Sequence, residues 1–128
     1  MSPPPTKHRH LVWLSVGAGL LLTVIGIRFL IVPRTAALNF GLAKDSVGQA
    51  LHHMVGLRDI WLGGLALVLV WLREWRALMW WFVLAVPVCL ADAAIAGQSS
   101  GKLLAVAFHI ASGLICAALA LAIRARLK

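Results

Sequence analysis

The fold of this chain is decided by residues 50–72, ALHHMVGLRDIWLGGLALVLVWL, an apolar run that contains an adjacent base and acid, Arg58 and Asp59. A helix of roughly 20 residues is long enough to cross about 30 Å of hydrocarbon. Arg58 and Asp59 then lie near the middle of the helix, where an unpaired charge costs roughly 3 kcal/mol. These two side chains therefore need partners from the rest of the chain.

The composition points to a membrane protein. Hydrophobic residues make up 62% of the 128 residues and charged residues 12%, against about 25% charged residues in soluble domains. The net charge of +8 is compatible with nucleic-acid binding, but the basic residues flank apolar runs instead of gathering on one face. We therefore predict contact with a lipid bilayer and no nucleic-acid partner.

Three further apolar runs resemble the first in length. The predicted spans are about 11–32, 50–72, 77–97 and 103–123. They give an all-α fold, an antiparallel four-helix transmembrane bundle in a domain of residues 11–128, preceded by a disordered basic tail at residues 1–10. Pro33 is expected to end the first span, because proline cannot continue a helix without losing a hydrogen bond. Residues 33–49 are predicted to form a connection rich in turn residues.

Lysine and arginine counts orient the bundle. One side carries both termini and the second connection, with Lys7, Arg9, Arg73, Arg76, Arg124, Arg126 and Lys128. The opposite side carries only Arg34, Lys44 and Lys102. The positive-inside rule then places both termini in the cytoplasm. The predicted location is the bacterial inner membrane, as a multi-pass protein.

With this orientation, the ionisable residues inside the spans fall in the outer half of the bilayer. A rise of about 1.5 Å per residue gives their depths; they are Arg28, His52, His53, Arg58, Asp59, Asp92 and His109. In the second span Gly56, Asp59 and Gly63 share one face, and the glycines allow a neighbouring helix to approach closely. We therefore expect a shared polar site in the interior of the bundle.

The charges of this site balance when the histidines are neutral. Arg58 and Asp59 are about 100° apart around a helix, so we predict that they do not pair with each other. Each is expected to reach across to Asp92 or to Arg28 instead, in an alternating network.

The residue types suggest a site for a small lipophilic molecule. Asp59, Asp92 and His109 are the candidate catalytic residues, because carboxylates and an imidazole can exchange protons in a low-dielectric site. The candidate ligand-binding residues are Arg28, Arg58, His52 and Gly56, with the arginines as electrostatic clamps. The sequence leaves open whether the site is catalytic or only binds.

Other classes of function remain open. The network of charges is also typical of a structural or partner subunit in which it only specifies helix packing. Acids and histidines also form proton relays in transporters, which for a chain of this length suggests a homodimer. Ligation of haem by His52 or His53 together with His109 is a third alternative. Otherwise no cofactor is expected. No metal site is expected either, since Cys89 and Cys116 lack CxxC spacing.

Several short motifs in a fixed order resemble a known family. They are Gly26-Ile27-Arg28, Pro33, Phe40-Gly41, Gly56-Leu57-Arg58-Asp59, Asp92 and His109. The chain resembles a family of small bacterial and fungal four-helix integral membrane proteins, described as a domain of unknown function and distantly DoxX-like. The resemblance implies a four-helix bundle without an established activity. The DoxX-like comparison implies a quinone-linked or redox-partner role, for which no redox motif of this chain matches.

Overall fold

The computed structural model describes residues 8–43 and 48–128, and within them the chain is helical with no strand. The helices are α1 (Arg9–Ile31), α2 (Pro33–Phe40), α3 (Gln49–Trp71), α4 (Trp75–Ser99) and α5 (Leu103–Leu127). The predicted all-α fold is confirmed. Residues 1–7 of the predicted tail lie outside the described residues, and α1 begins at Arg9, before the predicted start at Leu11.

The long helices α1, α3, α4 and α5 correspond to the four predicted spans. Each is apolar and long enough to cross a membrane, so the chain is a multi-pass membrane protein in contact with lipid. Pro87 lies inside α4 without ending it, because neighbouring groups in a membrane bundle can satisfy the carbonyl that proline leaves free.

The short helix α2 was not predicted, since residues 33–49 were expected to be a connection of turns. The chain leaves helical geometry at Val32, with ψ of 63°, and Pro33 then occupies the first turn of α2. Proline is favourable there because its missing N–H would have no partner in any case. Ala36 and Ala37 are buried against Phe29 of α1, so α2 folds back onto the bundle instead of leaving it.

The first two spans, α1 and α3, pack so closely that their backbones are in contact. A Cβ added to Gly26 would lie 2.5 Å from the carbonyl oxygen of Gly56, and one added to Gly56 would lie 2.7 Å from that of Gly26. Gly19 and Gly63 face each other in the same way farther along the pair. The predicted close approach at Gly56 and Gly63 is confirmed, and its partner is α1.

The two ends of the bundle differ in the polarity of their buried residues. All four long helices contribute to one apolar core, which contains Leu11, Ala66, Val70, Leu78, Phe82, Leu119, Ala120 and Ile123. These residues lie toward the end of the bundle that carries the two described termini. The buried ionisable residues Asp59, Asp92 and His109 lie toward the other end. The apolar core therefore packs the helices together at one end of the bundle. The buried polar residues lie at the opposite end.

Candidate functional site

Arg58 on α3 bridges two carboxylates. Its Nε donates a hydrogen bond to Asp59 Oδ1 at 2.9 Å, and its Nη2 donates to Asp92 Oδ2 on α4 at 3.4 Å. The side chains of Asp59 and Asp92 are 3% and 12% exposed, whereas that of Arg58 is 39% exposed. The site is thus a pair of buried acids held by one guanidinium group that remains partly accessible.

The ion pair between Arg58 and Asp59 shows that one prediction was wrong, because these neighbours were expected not to pair. The offset of about 100° applies to the directions in which the side chains leave the helix. A guanidinium at the end of a long stem can bend across that offset, and its planar fork offers five N–H donors. The predicted reach of Arg58 to Asp92 is confirmed.

Asp59 owes its burial to the helix face on which it lies. It is placed between Gly56 and Gly63 on α3, the two glycines that contact the backbone of α1. Asp59 therefore lies on the face of α3 that is turned into the bundle, and it is 2% exposed as a residue. The structure gives Gly56 a packing contact, and its assignment as a ligand-binding residue stays a prediction.

His109 on α5 is buried and has a defined hydrogen-bond partner. Its Nε2 lies 3.0 Å from the backbone carbonyl oxygen of Phe40. A carbonyl oxygen only accepts, so Nε2 carries the proton and Nδ1 is the nitrogen at which a further proton can bind. The imidazole also lies within electrostatic range of both Asp59 and Asp92. His109 therefore belongs to the same site as the two carboxylates.

The carbonyl that fixes His109 is positioned by the end of α2. Gly41 follows α2 with φ of +104°, in the left-handed region. A Cβ added there would lie 2.6 Å from the Cβ of Ala96 and 2.9 Å from that of Ala105. Glycine is needed for two reasons: the backbone angle φ is positive, and the space between α4 and α5 has no room for a side chain. Sequence reasoning missed the role of Phe40, although Phe40-Gly41 is a typical helix end.

His52 lies on the other side of an aromatic series. Its ring is 6.2 Å from that of Phe29, which is 5.9 Å from Phe40, which in turn is 4.5 Å from His109. A series of ring contacts through two phenylalanines therefore links His52 to His109, two of the three histidines considered as haem ligands. Haem at His52 and His109 would require these rings to move. Within the described residues no three histidine, cysteine, aspartate or glutamate side chains are placed so that they could hold one metal ion.

Arg28 does not join the cluster in this structure. It is exposed near the end of α1, and it forms no ion pair with any residue in 8–43 or 48–128. The charge balance expected for the site therefore lacks its second cation. The participation of Arg28 in ligand binding stays a prediction.

The cluster also connects two halves of the molecule. Contacts are extensive between α1 and α3 and between α4 and α5, and much sparser between the two pairs. The hydrogen bond from Arg58 to Asp92 joins α3 to α4, and that from His109 to Phe40 joins α5 to the end of α2. The polar site thus lies between two helical hairpins, one formed by α1 and α3 and the other by α4 and α5.

Cys89 and Cys116 lie side by side between α4 and α5, on the same hairpin as Asp92. Both residues are half-buried and free. Cys89 precedes Asp92 by about one helical turn, so its thiol lies next to the cluster.

The fold and the site together define a class: a multi-pass helical membrane protein with an ionisable cluster between two helical hairpins. The model of a family described as Domain of unknown function (DUF4267) matches residues 19–123, and the chain belongs to that family. The matched range includes Arg58, Asp59, Asp92 and His109. The predicted resemblance to such a family is confirmed, while the likeness to DoxX stays a prediction. No curated protein and no solved structure matches the chain.

Proposed function

We propose that this protein binds a small lipophilic molecule at the cluster of Arg58, Asp59, Asp92 and His109, within the membrane. The observation that carries this proposal is the accessibility of Arg58, which is 39% exposed while it holds two buried carboxylates. Ionisable residues within a membrane are costly and are typically functional. An ion pair that only fixes helix packing does not require an accessible guanidinium group.

The donors and acceptors of the cluster suit a ligand with a polar group. Arg58 uses Nε and Nη2 for the carboxylates, and Nη1 has no partner among residues 8–43 and 48–128. It is therefore available to donate to an oxygen of the ligand. Asp59, Asp92 and His109 are proton donors or acceptors for such a molecule. A catalysed proton transfer in this site would use the same three residues.

The orientation of the site is also part of the proposal. Lysine and arginine are more frequent on the side of both termini, which the positive-inside rule assigns to the cytoplasm of a bacterial inner membrane. The cluster then opens toward the outer leaflet, and its ligand enters from the lipid or from the outer face. The basic cytoplasmic side is suited to contact with anionic lipid.

A second candidate is a purely structural role, in which the cluster only fixes how the two hairpins pack. The observation that favours it is the hydrogen bond between Arg58 and Asp92, which joins hairpins that otherwise contact each other sparsely. Buried ion pairs can specify packing without adding stability. The protein would then be a partner subunit of a membrane complex.

Ligand-dependent thermal unfolding of the purified protein distinguishes these functions. We expect at least one member of a panel of lipids, quinones and terpenoids to raise the melting temperature. A ligand at about 100 times its dissociation constant stabilises the folded state by about 2.7 kcal/mol. Asp59→Asn should abolish the shift.

Glu74→Gln is the matched control, because it also removes one carboxylate, from an exposed position between α3 and α4. It should retain the full shift. If no compound of the panel shifts the melting temperature, and Asp59→Asn only lowers the melting temperature of the free protein, the structural role is correct.

A further inference from the structure

The cluster contains more negative than positive charge. Arg58 contributes one cation, and Asp59 and Asp92 contribute two carboxylates. With both carboxylates ionised and His109 neutral, the net charge of the cluster is therefore −1. Uncompensated charge in a low-dielectric environment is costly.

No other described group supplies the missing charge. From α5 the cluster meets His109, and from α4 it meets Cys89, whose thiol contacts that of Cys116 on α5. The end of α2 offers a backbone carbonyl and an aromatic ring. On α1 the exposed Arg28 forms no ion pair with the described residues, and His52 of α3 packs against Phe29. Within residues 8–43 and 48–128, the site therefore lacks one positive charge.

The geometry identifies where this charge is needed. Arg58 holds Asp59 at 2.9 Å and Asp92 at 3.4 Å, so Asp92 is the less closely paired carboxylate. Its side chain is also more exposed, at 12% against 3%. His109 lies within electrostatic range of it. The positive charge is thus needed at Asp92, on the more accessible side of the cluster.

We propose that the resting site holds one exchangeable proton, on Asp92, and that its ligand is a lipophilic monocation that replaces this proton. The inference rests on the proposed function and names the ligand class of the same site. Binding is an exchange in which one cation enters and one proton leaves to water. A lipophilic anion is excluded, because it would increase the charge imbalance.

The proposal predicts competition between proton and cation. Two ligands that exclude each other weaken each other's binding by the same factor. In the pH range in which the site is protonated, the affinity for the cation should fall about tenfold for each unit by which pH decreases. Above that range, the affinity should become independent of pH.

The test uses the full-length protein in detergent and probes of matched size and opposite charge. Tetraphenylphosphonium is the cation, tetraphenylborate the anion and triphenylphosphine oxide the neutral probe. Binding is measured by calorimetry, and proton release by an indicator dye in weakly buffered solution. In the pH range in which the site is protonated, we expect tetraphenylphosphonium to bind with release of about one proton per cation. In that range its affinity should fall as pH decreases, because proton and cation exclude each other. Tetraphenylborate should not bind at this site.

Variants assign the exchange to Asp92. Asp92→Asn leaves Arg58 paired with Asp59 and removes the unbalanced charge, so proton release should disappear and affinity for the cation should fall more than tenfold. Glu74→Gln should behave as the unsubstituted protein. If Asp92→Asn does not fold, the proton stoichiometry of the unsubstituted protein decides the question alone.

The inference and the proposed function fail in different ways. Binding of the phosphonium without proton release, preference for tetraphenylborate, or absence of phosphonium binding would overturn the inference. If tetraphenylphosphonium does not bind while a compound of the first panel still shifts the melting temperature through Asp59, the proposed function stands and the inference does not. If no compound of either set binds, the proposed function fails as well.

Discussion

Arg58 and His109 show how single side chains determine this site. Arg58 satisfies two acids because its donors lie along one planar edge, and His109 is held in one tautomer by a backbone carbonyl. The sequence predicted that Asp59, Asp92 and His109 lie in the same half of the bilayer, since depth follows from position along each helix alone. It did not predict the pairing of Arg58 with Asp59, because the path of a long side chain depends on which neighbours surround it. The role of the Phe40 carbonyl was missed for a similar reason, because the pattern of side chains in a sequence does not indicate which backbone carbonyl accepts a hydrogen bond.

At this scale we predict that His109→Ala destabilises the protein by about 1–3 kcal/mol, since the carbonyl of Phe40 would lose its hydrogen-bond donor. His109→Gln should lose less, because an amide can donate to the same oxygen. Denaturant titration of the purified variants measures both. Ser112→Ala on the same helix is the control, because its hydroxyl donates to the carbonyl of Phe108 within α5. Equal losses in the alanine and glutamine variants of His109 would contradict the role of this hydrogen bond.

Among the helices, the closest packing is between α1 and α3. The glycine face of α3 was predicted from spacing, because residues three and four positions apart share one side of a helix. Which helix would occupy that face was not predicted, since spacing in one helix carries no information about its partner. The helix α2 was not predicted because its residues include turn formers and its apolar surface is short. Its burial depends on Phe29, a contact between elements that local patterns do not contain.

For these helices we predict opposite effects of the same substitution at two glycines of α3. Gly56→Ala places a methyl group against the backbone and side chains of α1, and should destabilise the protein by about 1–3 kcal/mol through overpacking. Gly64→Ala meets no atom within 4 Å and should stabilise by up to about 1 kcal/mol through helix propensity. Unfolding in a graded mixture of mild and denaturing detergent measures the difference. Similar effects at both positions would contradict the close approach of α1.

The whole molecule consists of two helical hairpins joined by an apolar core at one end and by the polar cluster at the other. The four spans were predicted because about 20 apolar residues in a row have few alternatives to a transmembrane helix. The division into two hairpins was not predicted, since apolar faces that meet lipid and apolar faces that meet protein have similar composition. Orientation rests on lysine and arginine counts, and it stays a prediction.

We predict that a cysteine at the connection between α4 and α5 reacts from outside the cell, while one at the C-terminus does not. Lys102→Cys should be labelled by a membrane-impermeant maleimide in intact cells, because the positive-inside rule places it on the outer side. Lys128→Cys should react only after permeabilisation. The unsubstituted protein gives the background of Cys89 and Cys116. Labelling of Lys128→Cys in intact cells would reverse the orientation.

The pairing of Arg58 with the next residue has a consequence for biosynthesis. The ribosome synthesises α3 before α4, so α3 reaches the translocon ahead of the segment that carries Asp92. Each charge alone would oppose partitioning from the translocon into lipid by about 3 kcal/mol. Because Arg58 and Asp59 can neutralise each other at once, α3 enters lipid as a neutral segment. Asp92, the second carboxylate of the cluster, enters the membrane only with the hairpin of α4 and α5.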